Sequence, residues 1–259
     1  MWAAGSRAGA TLALATTLWG MTAPAVAQLG TIRFDNWLFY QQNFGNTARW
    51  QYRPRLFIPY ALGDGWTFTQ RLDLPFYYTD ASGPANPGGD WKSRASDFLV
   101  EEIFDTPEVA KNLRLRGSLR LVVPTGGESP FGADQWQVAA GFGANWRLPD
   151  VWRGVSVEPY ARYFYGFAAG DPGVTTRRSW NIFPTVSFGL SETWSLVVYP
   201  EQGITYNERT HKWFVPVEAM LTKRLSKTWE YSFGGAYELV SDEPSFRWVV
   251  QGRLRYYYQ

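Results

Sequence analysis

From Phe246 to Gln259 the chain sorts its side chains by parity. One set is Phe246, Trp248, Val250, Gly252, Leu254, Tyr256 and Tyr258, and the interleaved set is Arg247, Val249, Gln251, Arg253, Arg255, Tyr257 and Gln259. Side chains alternate faces along a strand, so this pattern predicts an extended segment with one greasy and one basic face. In a soluble sheet the greasy face would need a second layer to cover it. Recurrence of the pattern with no covering helices points instead to a wall between hydrocarbon and water.

The pattern does recur. Alternating segments are predicted over 32–42, 50–61, 66–78, 96–104, 113–124, 135–147, 154–167, 178–190, 194–206, 212–223, 229–240 and 246–258. Each is close to the roughly ten residues a tilted strand needs to cross a bilayer, and no helix-period segment intervenes. The connections alternate in kind. Short turns fall at 62–65, 148–150, 191–193 and 226–228, with 106–112 slacker; mostly longer, Gly- and Pro-rich loops fall at 79–94, 125–134 and 168–177, with 207–211 and 241–244 shorter. Short turns on one rim and longer loops on the other predict an all-β, antiparallel up-and-down transmembrane barrel of about twelve strands. An even count returns both ends of the chain to the short-turn rim.

Tryptophans sharpen the register. Trp66, Trp194 and Trp229 directly follow short turns and Trp146 falls at the same rim, while Trp50, Trp136, Trp180, Trp213 and Trp248 open strands at the opposite rim with outward parity. Two aromatic girdles are the expectation, one per membrane interface.

Composition narrows the setting. Of the 259 residues 45% are hydrophobic and 18% aromatic, including 14 Trp, yet mean hydropathy is only -0.29. A barrel spreads its apolar residues over alternate positions, so low hydropathy suits it. A net charge of +2 gives no reason to expect a nucleic-acid partner. Cysteine is absent, which removes disulfides and thiolate chemistry. Arg7, the uncharged stretch 8–27 and Ala25-Val26-Ala27 have the layout of a secretory signal with cleavage after Ala27. The expected organisation is therefore a signal peptide at 1–27 and a barrel at 28–259, located in the outer membrane of a Gram-negative cell.

If apolar parity faces lipid, the opposite parity lists the lumen. Pore-lining positions are then Arg53, Arg55, Arg71, Asp73, Glu101, Arg114, Arg116, Arg120, Glu158, Arg162, Glu201, Glu218, Arg253 and Arg255, with Asp97, Glu230 and Glu238 on the same face. Arginines crowd the first half of this wall and carboxylates much of the second. Such walls would set up a transverse field across a narrow lumen, or else pair into a plug of salt bridges. Asn36 and Glu102 fall on the lipid side and are the exceptions to the pattern. His211, the sole histidine, lies in a loop; a hydrolase triad would have to be built on it, and a solvated loop residue is the reading taken. No catalytic residue, metal ligand or cofactor is assigned.

Several motifs also carry a resemblance. Pro54-Arg55-Leu56-Phe57-Ile58-Pro59-Tyr60, Asp73-Leu74-Pro75, Val123-Pro124-Thr125, the run 136–146, Phe183-Pro184-Thr185 and Lys212-Trp213-Phe214-Val215-Pro216 resemble the outer-membrane barrel family labelled as the meta-pathway of phenol degradation. Arg94-Ala95-Ser96-Asp97 stands where that family tends to show a Gly-x-Gly-Asp run, keeping only the acid. The resemblance implies a transporter of hydrophobic or aromatic solutes. The expected function is a narrow passive channel for small solutes, with membrane lipid, lipopolysaccharide, a small-molecule solute and the outer-membrane insertion machinery as partners. Two alternatives stay open: a lipid-modifying enzyme using His211, and a structural or adhesive barrel working through loop 79–94.

Overall fold

The computed structural model describes residues 28–170, 175–242 and 245–258; the expected signal peptide lies outside them. Its strands are β1 (Gln28–Leu29), β2 (Ile32–Gln42), β3 (Ala48–Gly63), β4 (Trp66–Asp73), β5 (Phe76–Thr79), β6 (Lys92–Ala95), β7 (Phe98–Asp105), β8 (Leu113–Val123), β9 (Gln135–Arg147), β10 (Ser156–Ala169), β11 (Arg178–Gly189), β12 (Trp194–Val198), β13 (Ile204–Asn207), β14 (Lys212–Arg224), β15 (Trp229–Ser241) and β16 (Trp248–Tyr258). Every pairing is antiparallel, and β2 pairs with β3 on one side and β16 on the other, so the sheet closes on itself. Since β4–β5, β6–β7 and β12–β13 are interrupted staves, the barrel has twelve.

The interruptions have local causes. Pro75 has no N–H to give the ladder, and it separates β4 from β5 while Leu74 N still donates to Pro54 O at 3.1 Å. On the next stave Ser96 N donates to Pro75 O at 2.7 Å, and Asp97 turns away between β6 and β7. The third break, 199–203, is a bulge: three β11 residues, 183–185, face these five. Tyr199 sits there at φ 53°, and its backbone oxygen accepts from Thr185 Oγ1 at 2.7 Å. The surplus length is displaced into the barrel.

Two strand boundaries differ from expectation. Residues 92–94, assigned above to a loop, join Ala95 in β6 and pair with β5 from Phe76↔Ala95 to Thr79↔Lys92. Lys92, Ser93 and Arg94 are polar on both parities because this pairing lies above the apolar belt, where alternation is not required. Residues 246–247 precede the last strand instead of opening it; Phe246 turns inward onto Phe214, ring centroids 4.9 Å apart, and is buried.

Turn chemistry matches the rims. Asp64 and Gly65 both have positive φ, 48° and 80°, the demand of the tight hairpin turn whose twist suits flanking strands. Ser191 and Ser226 act alike: each Oγ accepts the backbone N–H of the tryptophan three residues on, Trp194 at 3.0 Å and Trp229 at 3.1 Å.

Outward positions are apolar and exposed, as with Leu119, Phe142 and Val250. Asn36 and Glu102 are partnered on that same face: Tyr52 Oη donates to Asn36 Oδ1 at 2.7 Å, and Gln70 Nε2 donates to Glu102 Oε1 at 3.1 Å. Aromatic rings pair across staves near both rims, Tyr40–Trp50, Tyr206–Trp213 and Trp229–Tyr256 each at 4.7 Å and Tyr163–Trp180 at 5.0 Å. Inside, one sector is packed solid. Trp37, Phe39, Phe214, Met220, Ala236, Phe246 and Val249 form an apolar cluster against β2 and β14–β16. The remaining lumen is left to charged side chains.

Candidate functional site: the barrel lumen

Beside the packed sector lies a cavity of about 710 Å³. Of the lumen residues expected from parity, the structure places Arg53, Arg55, Arg71, Asp73, Glu101, Arg116, Arg120, Glu158, Arg162, Glu201, Arg253 and Arg255 on its surface. Two are elsewhere. Glu218 is fully buried behind the bulge, where its Oε2 accepts the backbone N–H groups of Glu201 and Gln202 at 2.9 and 2.7 Å and its Oε1 accepts from Gln251. Arg114 stays half-buried on β8 away from the cavity.

The cavity also takes in Arg33, Asp35, Arg49 and Arg177, which parity reasoning missed. Arg33 and Asp35 share a strand face with Trp37 and Phe39, so neither face of β2 read as clearly polar. Arg49 and Arg177 stand just outside the predicted strands. A longer strand boundary at each would have found them.

Charge in the lumen is interleaved, which corrects the picture of a basic half facing an acidic half. Asp73 and Glu101 sit among the arginines of β3, β4 and β8, while Arg162, Arg177, Arg253 and Arg255 occupy the other half. Residues far apart along the chain become neighbours once the wall curves. Glu101 alone accepts from Arg71 at 3.1 Å, Arg120 at 2.6 Å and Arg162 at 2.5 Å. Asp73 accepts from Arg55 Nε at 3.0 Å and from both Nε and Nη2 of Arg71 at 2.8 and 2.7 Å. Eleven arginines meet six carboxylates on the cavity surface, so positive charge is in excess, and Asp35, Asp73, Glu101 and Glu201 are each shared by two or more arginines.

The bulge 199–203 gives this network its reach. Glu201 leaves the wall between β12 and β13 and pairs with Arg53 and with Arg55, whose Nη1 and Nη2 lie 3.0 and 2.8 Å from its carboxylate. Counted round the barrel, β3 and the β12–β13 stave are five staves apart, nearly opposite. The ion pair therefore crosses the lumen. A second bridge acts at the seam of the barrel: Arg255 on β16 donates to both oxygens of Asp35 on β2 at 2.7 and 3.0 Å.

Small residues make room for this crowd. The inward positions of β9 include Ala139, Gly141 and Gly143, opposite Phe164, Arg162 and Tyr160. A Cβ on Gly141 would overlap the Tyr160 hydroxyl, which itself reaches across β9 to Ser118 on β8.

At the long-loop rim the β8–β9 connection folds into the barrel mouth. The Asp97 carboxylate accepts Gly126 N at 3.1 Å and Ala133 N at 2.8 Å, Ser96 Oγ donates to Phe131 O at 2.5 Å, and Phe131 is almost wholly buried. Loop 80–91 is clamped on top, with Ala85 N donating to Ser129 O at 3.0 Å and the buried Asn86 side chain donating to Ala81 O and Asp90 O. At the other rim a second cavity of about 360 Å³ is lined by Asn112, Asn145, Arg147 and Ser156 among others, and Glu158 lines both cavities. His211 stands exposed at φ 56° with Nδ1 3.1 Å from the Tyr206 hydroxyl, remote from this network.

No protein-family model and no curated protein matches the chain. Solved structures do. An outer membrane channel from Pseudomonas putida F1 is similar at 15% identity and TM-score 0.68, covering 92% of this chain and 97% of that one. The likeness is one of fold. The NanC porin follows at 11% identity, TM-score 0.53, and 88% and 99% coverage, and the translocator domain of the autotransporter NalP from Neisseria meningitidis at 12%, 0.53, and 93% and 91%. Channels and a translocator thus share this architecture, so function has to be argued from the lumen.

Proposed function

We propose that the chain is a narrow passive channel for small polar solutes in a bacterial outer membrane. The observation that carries this reading is polar space on both sides of one wall residue: Glu158 lines a charged cavity inside a closed barrel and also a second cavity at the short-turn rim. The outward apolar face supports a lipid setting, because an exposed belt of this kind is stable only in hydrocarbon, and the ring pairs near both rims fit the two interfaces of a bilayer. Twelve staves lie between the eight that side chains fill and the sixteen that hold an aqueous pore, consistent with a half-filled lumen. The channel and porin neighbours agree with it.

The chemistry of the path favours polar solutes. A hydrophobic molecule would have to displace water from guanidinium and carboxylate groups without replacing their hydrogen bonds, which costs free energy at every step. The aromatic solutes implied by the phenol-degradation label are therefore the less supported class, and that label itself finds no matching family model. Neither His211, bonded to Tyr206, nor loop 80–91, folded over the mouth, favours the enzyme or adhesive alternatives. Planar-bilayer recording on the refolded protein tests the proposal. Discrete conductance steps are expected, and their absence from protein shown to be folded by heat-modifiable gel mobility would remove it.

A further inference from the structure

We infer that the lumen selects for anions, and that the selecting step is a cradle formed by Arg120, Arg162 and Arg177 around the ring of Phe164. The inference rests on the channel reading and names its solute class: small inorganic anions and carboxylates. The three guanidinium carbons lie 5.9, 5.9 and 3.8 Å from the ring centroid, and all four residues line the main cavity. They come from β8, β10 and the approach to β11, brought together over the small residues of β9.

Counting donors against acceptors shows what is missing. Arg177 donates to Ser179 Oγ at 2.7 Å, Asn181 Oδ1 at 3.0 Å and Gln137 Oε1 at 3.3 Å, all neutral, and it forms no ion pair among the described residues. Arg120 and Arg162 are each more than nine-tenths buried, their shared carboxylate is Glu101, and the Nε of each has no acceptor among the described residues. Glu101 is in turn shared with Arg71, so one acid serves three arginines. Buried donors without acceptors are costly, and fixed positive charge in a narrow water-filled path attracts small anions and repels cations. An anion against these guanidinium groups supplies the charge and acceptor oxygens that the wall lacks. Since the arginines also hold one another apart, the site suits brief occupancy, as conduction requires.

The test is the zero-current potential of the refolded full chain in a planar bilayer across a potassium chloride gradient. Chloride is expected to permeate over potassium by about fivefold or more, the effect of one unit charge at close range in water. Arg177→Gln should lower the ratio several-fold, and Arg177→Lys should restore most of it. A wild-type ratio at or below one, with conductance intact, overturns the anion inference and leaves the channel standing. An unchanged ratio in folded Arg177→Gln overturns the assignment to this cradle. Folded wild-type protein without conductance overturns the channel reading itself. Should Arg177→Gln fail to fold, the wild-type ratio and the Arg177→Lys variant still decide the matter.

Discussion

Removing Glu201 separates the electrostatic from the mechanical role of the pair that crosses the lumen. Its carboxylate sits on a displaced five-residue bulge and meets Arg53 and Arg55 from the far wall, with 11% of its side chain exposed. A unit charge at 4 Å is worth about 1 kcal/mol in water and about 4 kcal/mol at the effective dielectric of a protein surface. Loss of Glu201 does not orphan Arg55, which keeps Asp73 at 3.0 Å, and Arg53 remains 20% exposed to the lumen. The stability cost should therefore be about 1–2 kcal/mol, below the 3–5 kcal/mol of stranding a fully buried charge. Glu201→Gln keeps the shape and hydrogen-bond acceptor while removing the charge; it should leave conductance near wild type and raise the anion preference about fivefold. Glu201→Ala removes the strut as well and should enlarge the conductance step. Single-channel recording of both variants, with denaturant unfolding in vesicles, provides the readouts. If conductance in Glu201→Ala and ion preference in Glu201→Gln both match wild type, the pair does not stand in the conducting path and the reasoning fails.

Three further outcomes are expected. Asp35→Ala breaks the two-bond bridge to Arg255 at the seam between first and last staves and removes a negative charge from the cavity surface; it should cost up to about 3 kcal/mol, lower the temperature of the heat-modifiable transition and raise the anion preference read from the zero-current potential. Gly141→Val places carbon where the Tyr160 hydroxyl now lies and should destabilise the barrel by about 1–3 kcal/mol, which the folded fraction on a semi-native gel would report; full folding would show that Tyr160 can move aside. Replacing both Gln70 and Glu102 by Leu removes a hydrogen-bonded polar pair from the lipid face; barrel stability in vesicles should rise by on the order of 1 kcal/mol with conductance unchanged, and a loss of stability would mean the pair is held by something other than lipid.

By itself the sequence determined the wall. Alternation of period two, short turns such as Asp64-Gly65 and Ser191-Glu192-Thr193 on one rim, and tryptophans at strand ends are local features, and local features suffice to say which residues extend and which face a strand presents. They placed nearly all the strands to within a few residues, erring at 92–94, where a strand above the apolar belt has no greasy parity to show. Parity also listed most of the lumen charges, because a barrel interior is the one place for every second arginine. It could not say which charges meet. That Glu101 serves Arg71, Arg120 and Arg162, that Glu201 crosses to Arg53 and Arg55, and that Phe131 roofs the mouth all depend on how far the wall curves and where surplus backbone goes. Those are properties of closure. A strand pattern repeats every two residues and carries no record of distance across the barrel, so the excess of arginine over acid became a site only when the twelve staves were joined.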